Sequence, residues 1–173
     1  MVRDMVGIMK SSQYCSTYVV TEQTMGIFWN QDIEYASRII EAERIIYCKK
    51  TSAQIVAESC NVYGASLQQR RDSMKHVLAS RSKLPIAIDP KSCIFMFPTR
   101  SPRSIYCNWI SFYQVHQCKD VGEGTMFIFN DLSTVTVPAT ASSLRKQMHR
   151  TAMGIAYYMK ESMTQPTVLE NND

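Results

Sequence analysis

The run LPIAIDPKSCIFMFPTRSPRSIYCNWIS, from Leu84 to Ser111, constrains this chain more than any other part of it. It holds four of the six prolines. A proline biases the residue before it toward extended geometry, which keeps Leu84, Asp89, Phe97 and Ser101 out of helix. Between the prolines lie two apolar cores, Ile86-Ala87-Ile88 and Ile94-Phe95-Met96-Phe97. Short apolar runs punctuated in this way predict buried strands. A basic, proline-broken loop from Thr99 to Arg103 follows. The block Cys107-Asn108-Trp109-Ile110 then opens the longest apolar-alternating run.

The flanks add strands and helices around this centre. Tyr14 to Thr21 and Met25 to Trp29 read as a hairpin joined through Glu22-Gln23. Ser37 to Tyr47, with Ile39, Ile40, Ile45 and Ile46, reads as two strands or one bent one. Thr51 or Ser52 can cap a helix with Ile55, Val56 and Cys60 on its apolar face and Gly64 as its stop. Ala65 to Leu78 is ambiguous: it has helix formers but no clean stripe, so a basic loop with one helical turn fits it too. Trp109 to Gln117 alternates with an aromatic on both sides, which predicts a central strand. Thr125 to Phe129 and Thr134 to Val137 predict a hairpin across Asn130-Asp131-Leu132-Ser133. From Ser142 or Ser143 the stripe Leu144, Met148, Ala152, Ile155 and Tyr158 or Met159 predicts an amphipathic helix, with Gly154 a point of close packing. The expected fold is α+β: a mostly antiparallel sheet, one short internal helix and a C-terminal amphipathic helix. One domain over 1–163 and a frayed polar tail over 164–173 complete the expectation.

Charge points to the kind of partner. The net charge is +4, which permits an anionic partner without demanding one. Its distribution says more. Residues 70–83 hold Arg70, Arg71, Lys75, Arg81 and Lys83 against one acid, Asp72, and residues 141–160 hold Arg145, Lys146, Arg150 and Lys160 with none. Together with Arg100 and Arg103, these segments are the footprint of a surface that meets a polyanion. Like charges crowded in loops repel one another unless an anion meets them.

Catalytic and metal chemistry find little support. The six glycines are scattered, and neither G-x-S-x-G nor H-E-x-x-H occurs. His116 and Cys118 could share a strand face, but His76, His149 and Cys107 stand at no motif spacing from them, so a packed strand is the better reading. The six cysteines include no C-x-x-C pair and read as reduced, buried residues. The N-terminus MVRDMVGIMK is not a signal peptide, and no window reaches the roughly 18 apolar residues of a membrane span. No enzyme activity and no cofactor are expected. Trp109, Tyr106, Phe112 and Tyr113 read as sheet core before base-stacking groups.

An ordered series of short motifs then carries a resemblance. Ser59-Cys60 is followed by Tyr63-Gly64, Arg70-Arg71, Ser82-Lys83 before Pro85-Ile86, Asp89-Pro90, Ile94-Phe95 through Phe97-Pro98-Thr99, Trp109-Ile110-Ser111 and Arg150-Thr151-Ala152. From Ile39 to Ala152 the chain resembles the ComK family, the competence transcription factors of Gram-positive bacteria. The resemblance implies a cytoplasmic activator that binds paired A/T-rich boxes, largely through the minor groove. It also implies dimers that assemble into a tetramer on double-stranded DNA, with RNA polymerase as a partner. Members usually continue into a tail that a protease adaptor captures; TQPTVLENND looks nothing like it, which predicts a shortened member that escapes the adaptor and is inactive in the extreme case. Base-contacting residues do not follow from the resemblance, so the ten candidates rest on charge and position. Two rival readings stand beside it: a basic interaction domain for an acidic protein or lipid surface, and a small hydrolase with an unrecognised site.

Overall fold

A computed structural model describes the backbone of Arg3–Met5 and residues 10–164. Among the described residues eleven strands form two sheets. The larger has the order β2 (Ser11–Cys15), β5 (Arg44–Cys48), β4 (Ser37–Ile40), β3 (Gly26–Trp29), β8 (Trp109–Ser111), β7 (Ile94–Pro98), β6 (Ile86–Asp89). The smaller has the order β1 (Arg3–Met5), β11 (Thr134–Val137), β10 (Thr125–Phe129), β9 (Val115–Asp120). Every pairing is antiparallel except β2 with β5. Three helices, α1 (Ser52–Val62), α2 (Leu67–Leu78) and α3 (Ala141–Thr164), complete an α+β fold.

The apolar runs of the central strands follow from burial on both faces. Successive strand residues point to opposite sides. Ile27, Ile39, Met96 and Trp109 therefore join Ile55, Val56 and Cys60 of α1 in one core. Their neighbours Phe28, Ile40, Phe97 and Ile110 join Phe127, Phe129, Val135 and Val137 of the smaller sheet and Leu144 of α3 in a second. A third cluster, Met74, Leu84, Ala87, Phe95 and Ile155, seats α2 and α3 beside β6 and β7. Both apolar cores of the Leu84–Ser111 run are strands, and β10 and β11 form the expected hairpin, with Met126 opposite Thr136.

Four expectations need correction. Tyr14 to Trp29 is not a hairpin: β2 pairs parallel with β5, and β3 pairs with β4. Between them Val20 bonds to α1 and its C-terminal cap instead, Val20 N donating to Ser59 Oγ at 2.9 Å and Tyr63 Oη to Val20 O at 2.9 Å. Residues 67–78 are a twelve-residue helix rather than a loop, so there are two internal helices, not one. Ser66 and Gln69 close a capping box, and Met74 is the helix's one buried residue. The Trp109–Gln117 run is broken by a 3-10 turn at Phe112–Gln114. There the chain leaves the centre of the larger sheet, β8, for an edge of the smaller one, β9. Asn130 holds the turn, donating from its backbone to Gln114 O at 3.0 Å and from Nδ2 to Tyr113 O at 2.8 Å. Finally, the buried stripe of α3 is rotated: Gln147, Thr151 and Gly154 are buried, while Ala152 and Met159 are exposed. Gly154 is a close approach, since a Cβ there would lie 2.8 Å from Met74 Sδ. The expected frayed tail lies outside the described residues, apart from Thr164 at the end of α3.

Candidate nucleic-acid interface

Two polar residues on α3 gather separate parts of the chain. Gln147 is buried in the stripe three residues after Leu144. Its Nε2 donates to Lys83 O at 2.7 Å and to Pro98 O at 3.2 Å, tying the loop after α2 and the end of β7 to one helix position. Its Oε1 accepts from Arg150 Nη1 at 2.8 Å. The half-buried Arg150 guanidinium also reaches Ser80 Oγ at 2.8 Å, Ser82 O at 2.9 Å and Lys83 O at 3.4 Å. Burial pulls this group below its usual pKa, yet a guanidinium stays charged in proteins.

The clamped loop is tightly turned. Ala79 and Lys83 both have φ of +47°, the left-handed region that side chains avoid without a compensating hold. With its carbonyls occupied by Arg150 and Gln147, the loop turns Arg81 and Lys83 to solvent. Arg145 and Lys146 are exposed on the turn of α3 just before Gln147. Arg81, Lys83, Arg145 and Lys146 have no hydrogen-bond acceptor among the described residues. Arg100 stands two residues beyond Pro98 and donates to Pro138 O at 3.2 Å, beside the start of α3. Arg103 is exposed farther along the same loop. Seven of the ten basic candidates thus lie on α3 and the two loops that meet it.

Arg70 and Arg71 lie apart, at the start of α2, and Lys75 lies in its last turn. A rise of ~1.5 Å per residue places Arg70 roughly 13 Å from the clamped loop. Arg70 Nη2 donates to Tyr63 O at 3.1 Å, joining α2 to the end of α1. It borders a cleft of about 660 Å³ whose rim includes the acids Asp89 and Glu161. Lys75 pairs with Asp72 at 2.8 Å, and that contact holds the Asp72 carboxyl below its usual range. Arg71 is half-buried.

The residues set aside as catalytic or metal candidates are not assembled. A register shift in the β9–β10 pairing passes over His116, which is exposed, while Cys118 packs on the second core. Among the described residues no three His, Cys, Asp or Glu side chains gather as a metal site, and no helix is long and apolar enough to cross a membrane. All six cysteines are free; Cys48, Cys60 and Cys107 are buried, whereas Cys93 is exposed. Burial pushes the Cys60 and Cys107 thiols up to about 11.

Charge counting missed Gln147, Ser80 and Ser82, which carry no charge. The usable signal was a glutamine and a threonine, Gln147 and Thr151, filling apolar positions of the α3 stripe.

Comparison with known proteins places the chain. No solved structure matches it significantly. The competence transcription factor of Bacillus subtilis (strain 168) is 31% identical over 145 residues, covering 83% of this chain and 76% of that protein. The ComK protein family matches residues 15–164. With the match running from β2 to the end of α3, the chain belongs to the ComK family.

Proposed function

We propose that this chain is a DNA-binding transcriptional activator of competence genes, the genes of DNA uptake, working in the cytoplasm. It reads A/T-rich boxes mainly through the minor groove, bound as dimers that join into a tetramer and recruit RNA polymerase. The observation that carries the reading is the gathering of Arg81, Lys83, Arg145 and Lys146, without acceptors among the described residues, around the Gln147–Arg150 clamp. Narrow A/T minor grooves concentrate negative potential and attract such side chains. Arg100 and Arg103 extend the surface along the 99–108 loop, and Arg71 and Lys75 stand at its margin. Arg70 acts by positioning α2 against α1.

The test is a gel shift with an A/T-box duplex beside a G/C-rich one across a salt series. The expected result is preference for the A/T duplex and a steep loss of affinity with salt, the log–log slope falling by about one for each phosphate-contacting cation replaced by alanine. Equal, salt-insensitive association with both duplexes would overturn it.

A further inference from the structure

Exposed apolar side chains are ordinary when scattered singly. What surrounds them here is not uniform. Exposed Ile33 lies between Asp32 and Glu34, Leu132 follows Asp131, and Val121 follows Asp120. Ile105 and Tyr106, 65% and 48% exposed, instead stand in a loop, residues 99–108, that contains Arg100 and Arg103 and no acid; exposed Met153 shares an acid-free basic setting but lies on the long helix α3, not in a loop.

The base of this loop is fixed. Thr99 N donates to Asn108 O at 2.9 Å, and Asn108 N donates to Thr99 Oγ1 at 3.2 Å. Asn108 Oδ1 accepts from Trp29 N at 2.9 Å, and Cys107 O accepts from Ser52 Oγ at 2.8 Å. Within the loop, successive turns join Ser104 N to Ser101 O at 2.9 Å and Cys107 N to Ser104 O at 3.0 Å. Tyr106 rests edge-on against Trp29, ring centroids 4.9 Å apart. Ile105 is thus an exposed aliphatic tip on a braced support, with exposed Arg103 two residues before it in the chain.

We infer that Ile105 is a wedge: it enters a base step of the A/T-rich duplex from the minor groove and kinks the DNA, while Arg100 and Arg103 hold the flanking phosphates. The inference rests on the DNA-binding reading above and adds a mode of engagement. An apolar side chain inserted between bases unstacks the step, and the bend it creates wraps more of the duplex against the protein. The cationic neighbours make insertion productive, because a wedge flanked by acids would be repelled from the groove. The apolar tip and the cations act on different terms, bending and salt-dependent affinity, so they separate experimentally.

The experiment uses the whole chain with an end-labelled A/T-box duplex carrying 2-aminopurine at successive steps. Bend is read by energy transfer between the ends, unstacking by 2-aminopurine emission, and binding by anisotropy. The expected wild-type result is a bend within the ~20–90° range of wedge-bearing proteins, with emission rising at one step. Ile105→Ala should keep its melting temperature, lose more than half of both signals at saturation, and bind several-fold more weakly. Ile105→Met, which keeps an apolar tip, should retain them. Arg103→Ala should weaken binding and flatten its salt dependence while leaving the bend at saturation unchanged. Equal bending and emission by wild type and Ile105→Ala would overturn the wedge and leave the DNA-binding reading standing. A wild-type protein that binds no duplex would overturn both. So would one that leaves duplex free but is drawn to phosphatidylglycerol vesicles through Ile105.

Discussion

Replacing Arg150 by lysine separates a clamp from a charge. The guanidinium reaches Ser80 Oγ, Ser82 O, Lys83 O and Gln147 Oε1 from two nitrogens. A lysine keeps the charge but lacks the planar fork needed to serve acceptors on two sides at once. Hydrogen bonds to a charged group contribute about 1.5–3 kcal/mol each when buried. The guanidinium is only half-buried, and solvent competition brings the set down to about 2 kcal/mol. Lys83 O keeps its bond from Gln147 Nε2, so the loss falls mainly on Ser80 and Ser82. In a chain of 173 residues that loss lowers the melting temperature by about 4–8 °C. Loosening the loop also unfixes Arg81 and Lys83, and A/T-duplex binding should weaken about fivefold, equivalent to ~1 kcal/mol, with net charge unchanged. Thermal melting and a gel shift at one salt concentration read both effects. If Arg150→Lys melted and bound like wild type while Arg150→Ala lost affinity alone, Arg150 would be a phosphate contact and the clamp argument would be wrong.

Two further outcomes follow from the cores. Trp109 is buried in the first core, and its indole N–H has no acceptor among the described residues; Trp109→Ala should cost about 3–5 kcal/mol and Trp109→Phe much less, measured by urea unfolding, and an alanine variant of unchanged stability would refute the packing role. Lys10 Nζ meets Asp131 Oδ2 at 2.9 Å, the two side chains 7% and 16% exposed; burial opposes ionisation of Asp131, but Ser133 and Lys10 outweigh it and hold the carboxyl below its usual range. A depressed carboxyl stabilises fully above the unfolded value near ~4 and loses that contribution as pH falls through the folded one. Asp131→Asn should therefore destabilise by about 3 kcal/mol at pH 7, and its gap from wild type should narrow below pH ~4; a gap constant from pH 7 to pH 3 would refute the linkage.

The strands of Leu84–Ser111 were readable because they are buried on both faces, which leaves uninterrupted apolar letters between prolines. Thr51 and Gly64 likewise marked the ends of α1, and Asn130 to Ser133 marked the β10–β11 turn. α2 was obscure because only Met74 is fully buried, with Leu67 and Leu78 packing partly buried at its two ends, which makes no stripe; its Ser66–Gln69 capping box was the better evidence. The break at Phe112–Gln114 was invisible because the apolar letters run on across it, although β8 and β9 belong to different sheets. The basic residues were plain in the sequence, but their grouping was not. It depends on Gln147 bonding to residues 64 and 49 positions away, a relation that no local pattern encodes. Parallel pairing of β2 with β5 is equally non-local, and the nearer hairpin partner was the natural expectation.

The sharing of one sheet by two cores also orders the events of folding. β3 and β4 can zip as a hairpin once about forty residues exist, a fast and local step, but β3's other neighbour is β8, where Ile27 faces Trp109. The second face of that early hairpin, Met25, Phe28 and Ile40, has its cover in Phe127, Phe129, Val135, Val137 and Leu144. During synthesis this greasy surface must wait until the C-terminal part of the chain has left the ribosome. Slow, non-local closure of that kind leaves strand edges and apolar faces open to other chains. A chain cut short before Phe127 would carry that apolar face with no cover at all, a ready-made aggregation surface.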